Sequence, residues 1–398
     1  MTCRRFGRIG RLAAAAGASA LLLAASQLGG RGAPAAARAK ARAQVPVYAY
    51  FYQWYTPSSW NRAKADYPLA GRYSSDDLGV LRRQVREARS AGIDGFLTSW
   101  KSTTSLNRRL DLLVDVAHEQ GLRLGVVYEA LDFQRHPLPI STVRHDMTYL
   151  VARWGSSLTS ARFPKPVIIW TGEDQYSLAD IASVRQALGT KAYLLAAAKN
   201  VTEYQRVAPY VDGDAYYWSS ANPASVSTVN KLIAMGAAVH ADHGIWIAPA
   251  TSGYDGRTLG HTRVIDRAGG QTLVRSLNDA YASRPDAVGI ISWNEWSENT
   301  YIEPGQRYGA QELTVLQRYL RGSGGSAVAA DATVRRPNSG RWTGLDALLA
   351  LASSCMITVV ALGHYANRRQ PPARRPAHLA SPPPLEAAEQ GDLSAAVR

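Results

Sequence analysis

The chain has 398 residues, 46% of them hydrophobic and 19% charged, which is enough apolar material for one large core or two ordinary ones. Its formal net charge is +14, but residues 44–322 hold 29 basic against 26 acidic side chains, so the excess lies in the ends. A body so nearly balanced excludes the electrostatic footprint of a nucleic-acid binder.

In chain order, residues 1–43 read as a signal peptide. Arg4, Arg5, Arg8 and Arg11 precede an Ala/Leu run, and small-residue cleavage positions follow at Ala37 or Ala43. The alternative is an uncleaved anchor, since such a run can also stop in a bilayer. Residues 44–322 then alternate apolar runs of strand length with amphipathic stretches. Strands are expected at 45–52, 95–100, 123–129, 166–171, 192–198, 214–218, 244–250 and 287–293. Helical patterns at 77–92, 106–121, 178–189, 226–236 and 271–282 separate most of them, each ending near a glycine or a polar break. Eight such units predict an α/β fold of the (β/α)8 barrel kind, and no phosphate-cradling glycine loop follows the first strand to favour an open doubly wound sheet.

Residues 323–343 are small and polar without periodicity and read as a flexible stalk. Residues 344–366 have the length and apolarity of a transmembrane helix, with Asp346 at the edge. Arg368, Arg369, Arg374 and Arg375 follow as a cytoplasmic flank, which leaves the body outside the cell membrane, and the Pro-rich remainder, 367–398, reads as a disordered tail. Cys3 and Cys355 both lie outside the body, so the body contains no thiol, disulfide or cysteine metal site. His118, His136, His145, His240, His243 and His261 show no ligand spacing beyond the His240–His243 pair, and neither a metal nor a cofactor is expected.

In a (β/α)8 barrel, functional groups gather where strands end. Here those ends carry Trp54 and Tyr55, Trp100, Glu129, Glu173 and Asp174, Tyr216 to Trp218, and Tyr254 and Asp255. The last is "SWNEWSENTYIEP", with Glu295, Glu298 and Glu303 between tryptophans and tyrosines. Tyr (20) and Trp (10) far outnumber Phe (5), favouring rings with a hydrogen-bonding handle. Carboxylates and such rings around one mouth describe a carbohydrate site better than a metal or nucleophilic-serine site. Glycosidic cleavage uses two carboxyl groups, and Glu295 and Glu298 are the natural pair, because two acids held close in a poorly hydrated pocket cannot easily both be ionised. Trp100, Tyr217 and Trp296 are candidate sugar contacts at the same ends.

"AGIDGFLTSW", "GRYSSDD", "VDGDAYYW", "APATSGYDGR" and above all "SWNEWSENTYIEP" resemble, in the same order, the motifs of glycoside hydrolase family 99, the retaining endo-α-mannosidases. The resemblance runs from about Val45 to Gly309. It implies that Glu298 is the general acid/base and that Glu295 acts on the sugar's own 2-hydroxyl. It also implies that Glu129, Tyr52, Trp54 and Tyr254 line sugar subsites, with Asp255 and Asn294 supporting them. The family commonly has "SWWG" where this chain has Ser99-Trp100-Lys101-Ser102, so Lys101 is expected to alter a subsite wall; it has "EGT" where this chain has Glu298-Asn299-Thr300. Family 71, the α-1,3-glucanases, has a related last motif. The reading is therefore an exported, membrane-anchored retaining endo-α-glycosidase acting on an α-linked oligosaccharide or polysaccharide. The alternatives are a non-catalytic glycan-binding surface protein, and an α-1,3-glucanase or transglycosylase of envelope glycans.

Overall fold

Strands buried on both faces belong between a filled interior and a coat of helices. The computed structural model describes residues 45–132 and 134–322; the expected signal, stalk, membrane segment and tail lie outside them. The strands are β1 Val47–Phe51, β2 Gly95–Trp100, β3 Arg123–Glu129, β4 Val167–Thr171, β5 Tyr193–Ala196, β6 Gly213–Asp214, β7 Ile245–Thr251 and β10 Ala287–Ile291. Between β7 and β10 a short antiparallel pair, β8 Tyr254–Asp255 with β9 Val264–Ile265, stands on its own. The eight long-range strands are all parallel and close in the order β1-β10-β7-β6-β5-β4-β3-β2. This is a closed (β/α)8 barrel.

The helices are α1 Leu78–Ser90, α2 Thr104–Gln120, α3 Ile140–Trp154, α4 Leu178–Leu188, α5 Val201–Val207, α6 Val226–Ala241, α7 Gln271–Ala282 and α8 Gln311–Leu320. Their starts are written in the sequence. Asp77 accepts from the amides of Gly79 and Val80, Thr103 from Leu106 and Asn200 from Glu203, while Ser177 and Asp180 form a capping box. Three helices, α3, α5 and α8, were not expected. In α3 the buried face (Val143, Met147, Leu150, Trp154) is narrow and shares its stripe with Asp146, which accepts the Tyr128 hydroxyl at 2.9 Å. A charged residue in the apolar stripe hides the period.

The sixth strand is shorter than the expected 214–218. Gly213, at φ 149°, lies so close to β7 that a Cβ would come within 2.0 Å of the Ile245 carbonyl oxygen. Beyond Asp214 the chain leaves the ladder and gives its aromatic rings to the mouth: the Tyr217 hydroxyl accepts from that of Tyr52 at 2.9 Å, and Tyr216 stacks on Trp218. The eighth barrel strand likewise ends at Ile291 rather than at 293, with a cis Ile291–Ser292 peptide after it. Inside the barrel, Gly289 makes room for Tyr50, whose ring edge meets Tyr217 at 5.0 Å. Among the described residues no helix is long and apolar enough to cross a membrane.

Candidate active site

The loop after β10 has a short polar sequence and would be free to wander without anchors, yet nearly every carbonyl in it is held. The Glu295 amide donates to Ser292 Oγ at 2.7 Å, and the Ile302 amide returns to the Ser292 carbonyl at 2.9 Å, so the loop closes on itself. Thr258 Oγ1 donates to the Ser297 carbonyl, the Asp255 amide to that of Glu298, and Ser252 Oγ to that of Thr300. Arg267, only 3% exposed, donates through Nη2 to the carbonyls of Asn299 (2.9 Å) and Tyr301 (2.7 Å). Its guanidinium also lies between the rings of Tyr301 and Tyr308, 4.4 and 4.6 Å from their centroids.

Asn294 ties this loop to the first strand. Its Oδ1 accepts the Tyr52 amide and its Nδ2 donates to the Tyr52 carbonyl, both at 2.8 Å. That fixes the Tyr52 ring, against which Trp54 lies at 4.4 Å. The Tyr52–Tyr217 hydroxyl pair sits in the field of the carboxylates. Burial holds Tyr52 well above the usual phenol range, and the charges of Glu295, then Glu298 and Glu129, add to it. For Tyr217 burial leads again, followed by Tyr52 and then Glu298 ahead of Glu295. Glu295 is fully buried, with Oε1 accepting the Ser297 amide at 3.0 Å.

A cavity of about 680 Å³ opens at this end of the barrel, and Glu298, Tyr217 and Tyr254 are on its wall. Glu129 ends β3 beside it. Its oxygens accept from Ser99 (2.9 Å) and from Thr171 (3.1 Å), a wall residue, and burial raises its carboxyl above the ordinary value while Ser99 and Lys101 oppose the rise. Six of the expected residues, Glu298, Glu295, Tyr52, Glu129, Tyr217 and Tyr254, are thus on or coupled to one cavity, and Asn294 and Trp54 brace Tyr52.

Three others are placed elsewhere. Trp100 packs between Tyr128 and Trp154 in the layer between strands and helices, its Nε1 donating to Asn107. Trp296 is stacked at 3.8 Å on Tyr301, inside the loop rather than on the wall. Asp255 is paired with Arg257, whose hydrogen bonds hold its carboxyl below the usual range, and it braces the loop through its amide. The expectation for Lys101 is also corrected: the side chain is 7% exposed and its Nζ donates to the Leu131 carbonyl, and it is Leu131 that reaches the cavity. Glu303 accepts from Tyr73 and Gln84, both at 2.8 Å, and serves the packing beneath the loop.

A family model described as glycosyl hydrolase family 99 matches residues 56–319. The chain belongs to this family. It is a glycoside hydrolase acting on glycans. Among solved structures, the family 99 endo-α-mannosidase of Bacteroides thetaiotaomicron is similar in fold: 20% identical with a TM-score of 0.61 over 71% of this chain and 98% of that one, in complex with bis-tris-propane. A second structure of that enzyme is 19% identical with the same TM-score, covering 71% of this chain and 98% of the other. A glycoside hydrolase-like protein is 14% identical, with a TM-score of 0.56 over 70% and 94% of the two chains. No functionally curated protein matches the sequence.

Of the further charged groups on the wall of this family 99 chain, the sequence had marked only the strand-end carboxylates Glu173 and Asp174. Glu173 follows β4, accepts the Ala197 amide at 3.1 Å, and is pushed up to about 7 by burial, with the Asp174 charge adding to it. Arg135, Lys199 and Arg263 also line the cavity. They stand in loops that read as ordinary solvated surface. Arg267 had no signal at all, because its role depends on two carbonyls more than thirty residues away.

Proposed function

We propose that the protein is a retaining endo-α-glycosidase of the endo-α-mannosidase kind that uses Glu298 and Glu295 as its reacting pair. The observation that carries this is the position of Glu298 on the cavity wall, with buried Glu295 three residues before it and both charges acting on the Tyr52–Tyr217 hydroxyls. In the first step Glu295 takes the proton of the substrate's 2-hydroxyl, O2 attacks the anomeric carbon, and the glycosidic C–O bond breaks as Glu298 gives its proton to the leaving oxygen. In the second step Glu298 takes a proton from water, whose oxygen attacks the same carbon. The C–O2 bond opens, and O2 recovers its proton from Glu295. Two inversions leave the α configuration unchanged.

The rigid loop supports this reading, since a positioned acid loses its value when it drifts by an ångström. Replacing Glu295 or Glu298 by Gln should leave folding and binding intact and cut turnover by about 10²-fold or more. A substrate with a good leaving group should partly rescue Glu298→Gln and do nothing for Glu295→Gln. Efficient cleavage of a 2-deoxy substrate, or a β product, would return the pair to an ordinary two-carboxylate mechanism.

The same proposal places the catalytic body outside the cell, held by residues 344–366 as a single span. Protease added to intact cells should then release the body by cutting within 323–343; recovery of the whole chain in the cytosol would overturn that part alone.

A further inference from the structure

Beyond β6 the chain reads Tyr216-Tyr217-Trp218, consecutive rings that all line the cavity. Tyr217 turns to Tyr52, beside the reacting pair. Tyr216 and Trp218 stack on each other instead, with 5.4 Å between centroids and 24° between planes. Tyr216 is 5% exposed while Trp218 is half-buried, so Tyr216 is the backing ring and Trp218 the one presented to the cavity. Lys231, in the second turn of α6, completes the mount. Its Nζ donates to the Tyr216 hydroxyl at 3.1 Å and lies 4.7 Å from the Tyr216 centroid and 4.6 Å from that of Trp218. A point equally far from two stacked rings lies at the seam between them, so the ammonium locks the pair without covering the outer face of Trp218. Glu203 acts on Lys231 through space, but the hydrogen bond goes to the phenol. Among the described residues no other tryptophan lines the cavity, and Lys231 stands behind the wall rather than on it.

A half-buried indole on a loop would swing among rotamers and lose that freedom on binding, whereas one held along its inner face meets a ligand already ordered. The free face of an indole carries partial negative charge and matches the C–H face of a pyranose, whose hydrogens carry the opposite sign. Consecutive Cα atoms are about 3.8 Å apart, so with Tyr217 beside the reacting pair the next residue serves the neighbouring sugar and not the one being opened. Accepting the glycosidase reading of this cavity, we infer that Trp218 is the stacking platform of a sugar subsite next to the reacting one, and that Lys231 is the residue that positions it. The substrate is then an α-linked oligosaccharide that runs along the wall past Tyr217, with its neighbouring pyranose received on a ring face.

The test uses the full-length Glu298→Gln protein, which leaves ligands uncut, and measures Kd by titration calorimetry for α-linked manno-oligosaccharides of two to six sugars, with the α-linked gluco series alongside. The expected result is a step in one series: affinity rises about tenfold or more at the length that first reaches Trp218. Adding Trp218→Ala should abolish that step, and adding Lys231→Met should shrink it by about threefold or more although Lys231 touches no ligand. A residue that serves packing alone would lower affinity by the same factor at every length, so the step separates the two roles. No step, a step that survives Trp218→Ala, or a loss in that variant that is equal at every length overturns the inference; if the unmodified enzyme cleaves the same oligosaccharides, the glycosidase reading stands without it. A step that survives Lys231→Met, or a loss in that variant that is equal at every length, overturns the part given to Lys231. Failure of both series to bind, with no cleavage by the unmodified enzyme, overturns both readings.

Discussion

Glu303 offers a test of the packing beneath the reacting loop that is independent of turnover. Its carboxyl is 2% exposed, and burial, opposed by hydrogen bonds from Gln84 and Tyr73, carries it from an ordinary 4.5 to about 7. Between those values the folded protein holds a proton that the unfolded chain has released, so stability is full below about pH 4.5 and is lost as pH rises to about 7. A rise of that size corresponds to about 3 kcal/mol at most, from roughly 1.4 kcal/mol per pH unit. Glu303→Gln keeps a group of the same shape that never ionises. Above about pH 7 the variant should therefore be more stable than the parent by up to about 3 kcal/mol, or on the order of 6 °C in Tm for a large domain, whereas at about pH 4.5 the two should coincide. Thermal melts followed by circular dichroism across that range read the difference directly. A variant that is less stable than the parent by the same amount at every pH would refute the reasoning, because the loss would then come from the Tyr73 and Gln84 contacts and not from a buried charge.

Asn294→Ala strips the partners from two buried backbone groups of Tyr52 and should cost about 2–4 kcal/mol in urea denaturation; a loss under about 1 kcal/mol would show that the clamp is dispensable. Arg267→Met removes the donors to the Asn299 and Tyr301 carbonyls and should lower kcat by about tenfold or more with KM little changed, in a protein that still melts cooperatively; unchanged kcat would make Arg267 a packing residue only.

The sequence by itself determined the barrel. Strand periodicity, apolar helix faces and caps such as Asp77 and Ser177 are local in the chain, and local chemistry suffices to read them. It also determined the family, because "SWNEWSENTYIEP" packs its carboxylates and rings into one contiguous stretch. Where local signals were weak the reading stopped: α3 hides its period behind Asp146, and β6 is cut short by a contact with Ile245 that no neighbour in sequence announces. The direction a side chain takes was decided only by tertiary structure. Trp100 and Ser99 are adjacent in β2, yet the alternation of a strand sends Trp100 into the helical layer and Ser99 onto Glu129. Lys101, one residue on, turns to a carbonyl of the next loop instead of the cavity. Arg135, Lys199 and Arg263 become one wall because closing the barrel brings loops distant in sequence to a single mouth, and a closed ring of strands is a property of the whole chain and of none of its segments.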